Sequence, residues 1–257
     1  MRIARGIARP LPLLLALAPL LGGCGGSWGW HVVDPRDARG QANLSFMVSG
    51  LWQTVSLSFA TMVVSLLLGL LVAFLGMARL RALRWANRAY VELFRAIPIL
   101  VLILWVYYGL PVVLDIRLDI FVAAMLAIAV CDSAFEAEIF RAGIQSVELG
   151  QREAAMALGL SPWQRMRFVI LPQAIRRVLP PIANQFIYVV KMTSLASVIG
   201  YGELTRKANE LVVTVFRPLE IYTVLILEYL VLILIISGAV RHLERRLGAD
   251  QGARRGG

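Results

Sequence analysis

Apolar residues run in long blocks along most of this chain, separated by short polar stretches rich in arginine. Five blocks reach the length a helix needs to cross about 30 Å of hydrocarbon. They cover residues 51–77, 93–114, 120–140, 182–200 and 219–240. The pattern predicts an all-α, polytopic membrane protein with a five-helix core, and no internal repeat is visible. Ahead of the core, residues 1–24 read as a signal sequence or signal anchor. Arg2, Arg5 and Arg9 form its basic start, and residues 11–21 its short apolar run. Leu21-Gly22-Gly23-Cys24 resembles a bacterial lipobox, in which Cys24 would be lipidated after cleavage. An uncleaved anchor, or a true start at Met47, would explain the same residues. Residues 25–50 are expected as a periplasmic linker, 51–247 as the transmembrane domain and 248–257 as a cytoplasmic tail.

Composition agrees with this plan. The 257 residues are 59% hydrophobic, with a mean hydropathy of +0.73. A formal net charge of +10 would suggest nucleic acid in a soluble protein. In a membrane protein it follows from basic residues gathering in cytoplasmic loops, and no nucleic-acid role is expected. The first loop holds Arg79, Arg81, Arg84 and Arg88; the third holds Arg141, Arg152, Arg165, Arg167, Arg176 and Arg177. Arg241, Arg245 and Arg246 follow the last span, whereas the second loop has only Arg117 beside Asp115 and Asp119. The positive-inside rule therefore places loops one and three and the C-terminus in the cytoplasm.

The third loop, about 141–181, is sharply punctuated. Residues 151–158 are good helix formers, and Gly159 is placed to end that helix in a left-handed conformation. Ser161-Pro162-Trp163-Gln164 matches a capping box, with Ser161 at the N-cap, Pro162 at N1 and Gln164 at N3. The second helix should place Trp163, Met166 and Ile170 on one side and Arg165 on the other. It is expected to stop at Pro172, because Leu171 before the proline is biased away from helix. Periodicity leaves two uses open for such a hairpin: lying on lipid headgroups, or inserting into a groove on a partner.

Glu153-Ala154-Ala155, three residues, Gly159, nine residues, then Val169-Ile170-Leu171-Pro172 resembles the EAA loop of ABC-transporter permeases. Val169 stands where that family has isoleucine. Residues 90–98 (YVELFRAIP), 138–143 (EIFRAG), 171–173 (LPQ) and 191–195 (KMTSL) are similar to the polar amino-acid branch of the same MetI-like family. The likeness spans residues 49–247. It implies the MetI-like bundle, and Glu153, Ala154, Ala155, Gly159, Leu171 and Pro172 as the surface that docks an ABC ATPase dimer. It further implies a second permease copy or paralogue, a periplasmic or lipid-anchored amino-acid-binding protein, and the bacterial inner membrane with its lipids.

Ionisable residues inside spans are expensive and point to function. Asp132, Lys191 and Glu228 lie at comparable depth in the third, fourth and fifth spans, so they could meet near mid-bilayer. Asn184, Tyr188, Lys191 and Ser194 fall close to one helix face, which should look inward. Asp132, Lys191, Ser194 and Glu228 are therefore candidates for a substrate path, or else for a salt bridge that only holds helices together. Asp132 and Glu136 stand one turn apart, where like charges repel, so one of them needs a cation or a retained proton. Glu138 should pair with Arg141. Two positions depart from the family: Glu228 where an apolar residue is usual, and Met192 where aspartate is usual. A preference for cationic amino acids is one consequence.

The chain has no Gly-x-x-x-x-Gly-Lys-Ser/Thr phosphate loop, so ATP would be hydrolysed by a separate protein and this subunit is not itself an enzyme. His31 and His242 sit near the two ends, Cys24 and Cys131 form no framework, and no cofactor or metal is expected. An intramembrane enzyme would need a nucleophile–base pair, for which Asp132 with Glu136 is the only candidate. The sequence is also compatible with a structural or sensory subunit that docks an ATPase without moving solute, and with an importer of a related small polar solute.

Overall fold

The computed structural model describes residues 28–246; the signal or lipobox reading of residues 1–24 and the tail at 248–257 lie outside them. Among the described residues all regular structure is helical. We number the helices α1 (Ala38–Val48), α2 (Leu51–Met77), α3 (Arg81–Ala96), α4 (Ile99–Leu114), α5 (Ile120–Gln145), α6 (Leu149–Ala157), α7 (Pro162–Ile199), α8 (Leu204–Val215) and α9 (Pro218–Arg246). Four stretches are long and apolar enough to span a membrane, and the bent pair α3–α4 makes a fifth. The multi-pass, five-span architecture is thus present, with three differences in its elements.

The second span is broken. Helix α3 ends at Ala96, Ile97 and Pro98 are extended, and α4 leaves at 99°. A residue before proline is pushed out of the α region, which accounts for the break that the apolar run across 93–114 concealed. The expected linker is also structured: α1 lies within it and runs into α2 as one 40-residue helical stretch. Third, Pro172 does not stop a helix. Leu171 is helical (φ −60°, ψ −44°), and α7 continues through Pro172, Pro180 and Pro181. A π-helical turn over Arg165–Ile170 precedes Pro172. That wider turn shifts the hydrogen-bond register where the proline has no N–H to give. The Gln173 side chain also donates to the Val169 carbonyl at 3.0 Å.

The core is the α2–α5 contact. Thr54, Ser58, Thr61, Ser65, Gly69 and Ala73 recur at helical spacing along one face of α2 and are buried. On α5 they face an alanine-rich stripe that includes Ala123, Ala127, Ala134 and Ala137. Small residues let two backbones approach closely, and in lipid such packing replaces the hydrophobic drive. The approach at Gly69 is tight: a methyl group there would lie 2.8 Å from Glu136 Cβ and 3.1 Å from the Ser133 carbonyl.

At the end of the bundle away from α6, Glu203 and the neighbouring Leu204 N–H tie three helices together. Glu203 caps α8 by accepting from the Thr205 and Arg206 N–H groups at 2.9 and 2.7 Å. It also accepts from the Tyr229 hydroxyl of α9 at 2.8 Å, while the Leu204 N–H donates to Thr54 of α2 at 3.2 Å. Burial pushes the Glu203 carboxyl above the usual carboxylate range, and those hydrogen bonds oppose the shift.

Candidate functional site

Two local motifs placed back to back build the hairpin between α6 and α7. Gly159 is left-handed (φ +73°). Its N–H donates to the Met156 carbonyl at 2.9 Å, and the Leu160 N–H to the Ala155 carbonyl at 3.2 Å. This is the paired bonding of a Schellman C-cap. One residue later the capping box begins. Gln164 N–H donates to Ser161 Oγ at 3.3 Å, and Ser161 N–H donates to Gln164 Oε1 at 2.8 Å. The turn is therefore fixed on both sides by its own backbone.

Arginines fasten this hairpin to the end of α5. Arg152 donates to the Ile144 carbonyl at 2.5 Å, and Arg177 of α7 donates to the Ser146 carbonyl. These are carbonyls that a helix C-terminus leaves without intrahelical partners. Gly143 of α5 meets α7 so closely that a methyl group there would lie 2.0 Å from Val178 Cγ2. Glu138 pairs with Arg141 at 4.0 Å, as its spacing suggests, and more closely with Arg95 of α3.

Apolar groups stay uncovered on the hairpin: Leu158 is 79% exposed, Trp163 70% and Phe168 64%, with Leu149, Met156 and Leu171 also exposed. Trp163 is more exposed than Arg165, the reverse of an apolar-in packing for this segment. Of the predicted docking residues, Ala155 is buried, while Glu153, Ala154, Gly159, Leu171 and Pro172 lie on the surface or near it.

The intramembrane charges do not converge within one chain. Asp132 is buried and accepts from Ser65 Oγ of α2 at 2.7 Å and from Gln185 Nε2 of α7 at 2.5 Å. Lys191 and Asn184 are exposed on the outer side of α7, and Tyr188, also exposed, lines a cavity at the α3–α4 break. Helical phase explains this: Gln185, Val189 and Met192 turn toward α5, which leaves Lys191 facing away. Ser194 donates to the Lys191 carbonyl of its own helix at 2.7 Å. Glu228 lines a separate, almost wholly apolar crevice of about 320 Å³ with Leu51, Leu204 and Val231, and both its carboxyl oxygens lack a partner there. Glu136 is fully buried beside Gly69, again without a hydrogen-bond partner among the described residues.

Sequence reading missed a cavity of about 200 Å³ formed where α3 breaks into α4. Phe94, Arg95, Pro98, Cys131, Asp132, Phe135, Tyr188 and Met192 line it. It places Asp132 and the family-variant Met192 on one wall system, and the Ile97-Pro98 break that opens it was the available signal. Arg95 stacks over the Phe135 ring at 5.1 Å. The cavity is small against the roughly 300–1,000 Å³ of drug-sized sites, and Ile97, Ile99, Ile128 and Val189 make the rest of its wall apolar, so Arg95, Asp132 and Tyr188 supply its polar groups.

Comparison with known proteins fits this geometry. The family described as "Binding-protein-dependent transport system inner membrane component" matches residues 41–249. The glutamine transport system permease protein GlnP of Escherichia coli (strain K12) is 40% identical over 208 residues, covering 79% of this chain and 94% of that protein. The arginine transport system permease protein ArtQ of Bacillus subtilis (strain 168) is 32% identical over 207 residues, covering 80% and 94%. Among solved structures, an amino acid ABC transporter with histidines aligns with a TM-score of 0.75 at 37% identity, over 79% of this chain and 94% of that one. The MetNI methionine ABC transporter, in an inward-facing conformation, shares the fold at a TM-score of 0.68 and 22% identity, over 79% and 96%. With a match across most of its length, a five-span helical bundle and a capped hairpin in the expected place, this chain belongs to the family of binding-protein-dependent transport system inner membrane components.

Proposed function

We propose that this chain is the membrane permease subunit of an ATP-driven importer of amino acids. A partner ATPase dimer docks on the hairpin from 149 to 172, closes on ATP, and moves α5 and α7 so that the path opens alternately to either side. What carries this reading is the hairpin: a turn locked by its own caps, latched to two spans, and presenting exposed Leu158, Trp163 and Phe168. A rigid lever of this kind transmits a push into the spans, whereas a loose loop would absorb it. The positive-inside rule puts the hairpin and the C-terminus in the cytoplasm. The names of the relatives, which include glutamine and arginine permeases, support an amino acid as the solute.

Asp132 is the residue we assign to selectivity, because it lines the cavity at the α3–α4 break while Glu228 sits in an apolar crevice away from it. A carboxylate there favours an ammonium or guanidinium group, hence a cationic amino acid. Lys191 and Ser194 lie on the outer face of α7, and Tyr188 reaches from there into the cavity, so a second permease copy on this face would complete the path. Reconstitution with the ATPase and the binding protein tests this, using a panel of amino acids and reading substrate-stimulated ATP turnover. Asp132→Asn should weaken stimulation by arginine or lysine roughly tenfold while leaving glutamine within about twofold. ATP turnover that no amino acid alters would sink the transport reading, and equal losses for arginine and glutamine would sink the role of Asp132.

A further inference from the structure

Helix α3 carries a charged stripe that the transport reading leaves unused. Arg84, Arg88, Glu92 and Arg95 follow one another by about one turn and share a face. That face borders a cavity of about 830 Å³, closed on the other side by Glu138 and Arg141 of α5 and by Gly76 of α2. Four arginines and two glutamates line it, which leaves a positive surplus. Pairing inside the cavity is uneven. Glu138 is held by both Arg95 and Arg141, and Arg84 donates to the Ala78 and Arg79 carbonyls at 3.2 Å. The Arg88 guanidinium has no hydrogen bond or ion pair among the described residues.

The surroundings indicate what would fill such a site. The cavity sits between helices at the end of the bundle that carries the hairpin. Beside its charged stripe α3 exposes Trp85, 74% accessible, and Leu80 just ahead of the helix is 67% accessible. An amphipathic, arginine-rich helix with an exposed tryptophan is the pattern of a segment seated at a membrane–water boundary. Basic pockets between spans on the cytoplasmic side are suited to anionic headgroups, and the guanidinium fork matches phosphate oxygens. We propose that this cavity binds the phosphodiester headgroup of an anionic phospholipid, with Arg88 as its principal unpaired contact. The assignment rests on the cytoplasmic placement of the hairpin proposed above.

The test uses the full transporter, with its ATPase, in nanodiscs of phosphatidylcholine with and without phosphatidylglycerol. Native mass spectrometry reads the retained phosphatidylglycerol. Wild type should keep it through detergent release, and Arg88→Gln should lose it with roughly tenfold weaker affinity. Arg79→Gln makes the same charge change outside the cavity and should keep it. Equal loss in the two variants would reduce the effect to bulk charge and overturn the site. Inorganic phosphate or glycerol phosphate retained from phosphatidylcholine discs as firmly as the lipid, and lost on Arg88→Gln, would make the occupant a free anion and overturn the lipid assignment. Lipid retained only when the ATPase is absent would assign the cavity to an acidic segment of that partner instead. A nanodisc exposes both faces, so retention does not depend on orientation. Ser161→Cys should escape a membrane-impermeant thiol reagent in intact cells and react after lysis; reaction in intact cells would overturn the cytoplasmic placement itself.

Discussion

Replacing Gly159 isolates the hairpin from the rest of the molecule. A methyl group at this position would meet no atom within 4 Å, so side-chain volume is irrelevant and only the backbone matters. At φ +73° an L residue carries about 1–2 kcal/mol of strain, less for asparagine, and more for a β-branched side chain. The exposed turn can relieve that strain by giving up the Gly159–Met156 and Leu160–Ala155 bonds, which frees the axis of α6 from the start of α7. A partner ATPase must then restore the geometry on docking, so its affinity should fall by roughly 5- to 30-fold for alanine. The expected order is glycine, then asparagine, alanine and valine. Titration of the purified permease with its ATPase reads the affinity, and the yield of membrane-inserted protein reads folding, which should be unchanged because the hairpin lies outside the bundle. Valine docking as tightly as glycine, or asparagine docking no better than valine, would show that the left-handed turn does not set the docking geometry.

Two further substitutions probe how the bundle holds together. Gly143→Ala should destabilise the protein by about 1–3 kcal/mol, since the new methyl lands 2.0 Å from Val178 Cγ2 and valine in a helix has one favoured rotamer. Thermal unfolding should show Val178→Ala restoring most of that loss; no recovery would place the clash elsewhere. Glu203 supplies a pH dependence. Its carboxyl is raised by burial, so the folded state binds the proton more tightly than the unfolded chain. Its contribution is full below the ordinary carboxylate range and is lost as pH rises through the raised value. Glu203→Gln keeps an acceptor for the α8 cap and should flatten that part of the stability–pH curve, whereas an unchanged slope would assign the dependence to another group.

Much of this fold is legible in the sequence because its signals are local. The capping box at Ser161 and Gln164 and the left-handed Gly159 depend on neighbours within one turn, and both occur where the residue types require them. The two proline signals are equally visible in the sequence, yet only Ile97-Pro98 breaks its helix as the residue type suggests. Ile97-Pro98 breaks its span because both residues are free to become extended, whereas Leu171-Pro172 does not break α7 because a π-helical turn ahead of it changes the bonding register. Residue type does not distinguish the two cases; the π-helical turn ahead of Pro172 does. The arginines show the same limit. Arg152 and Arg177 count toward loop charge in any sequence reading, yet their work is to satisfy two carbonyls at the end of α5, a partnership set by tertiary structure.

The intramembrane charges carry this furthest. Equal depth suggests that Asp132, Lys191 and Glu228 meet, but depth fixes only one coordinate, and rotation about the helix axis decides the partner. The phase of α7 gives Asp132 the neutral Gln185 and turns Lys191 outward with Asn184. A lysine facing lipid well inside a span costs about 2.5–3.5 kcal/mol on insertion scales. No acidic partner for it occurs among the described residues. That cost is avoided when the outer face of α7 borders water or another protein surface. The exposed Asn184 and Lys191 are therefore the physical argument for the second permease copy proposed above.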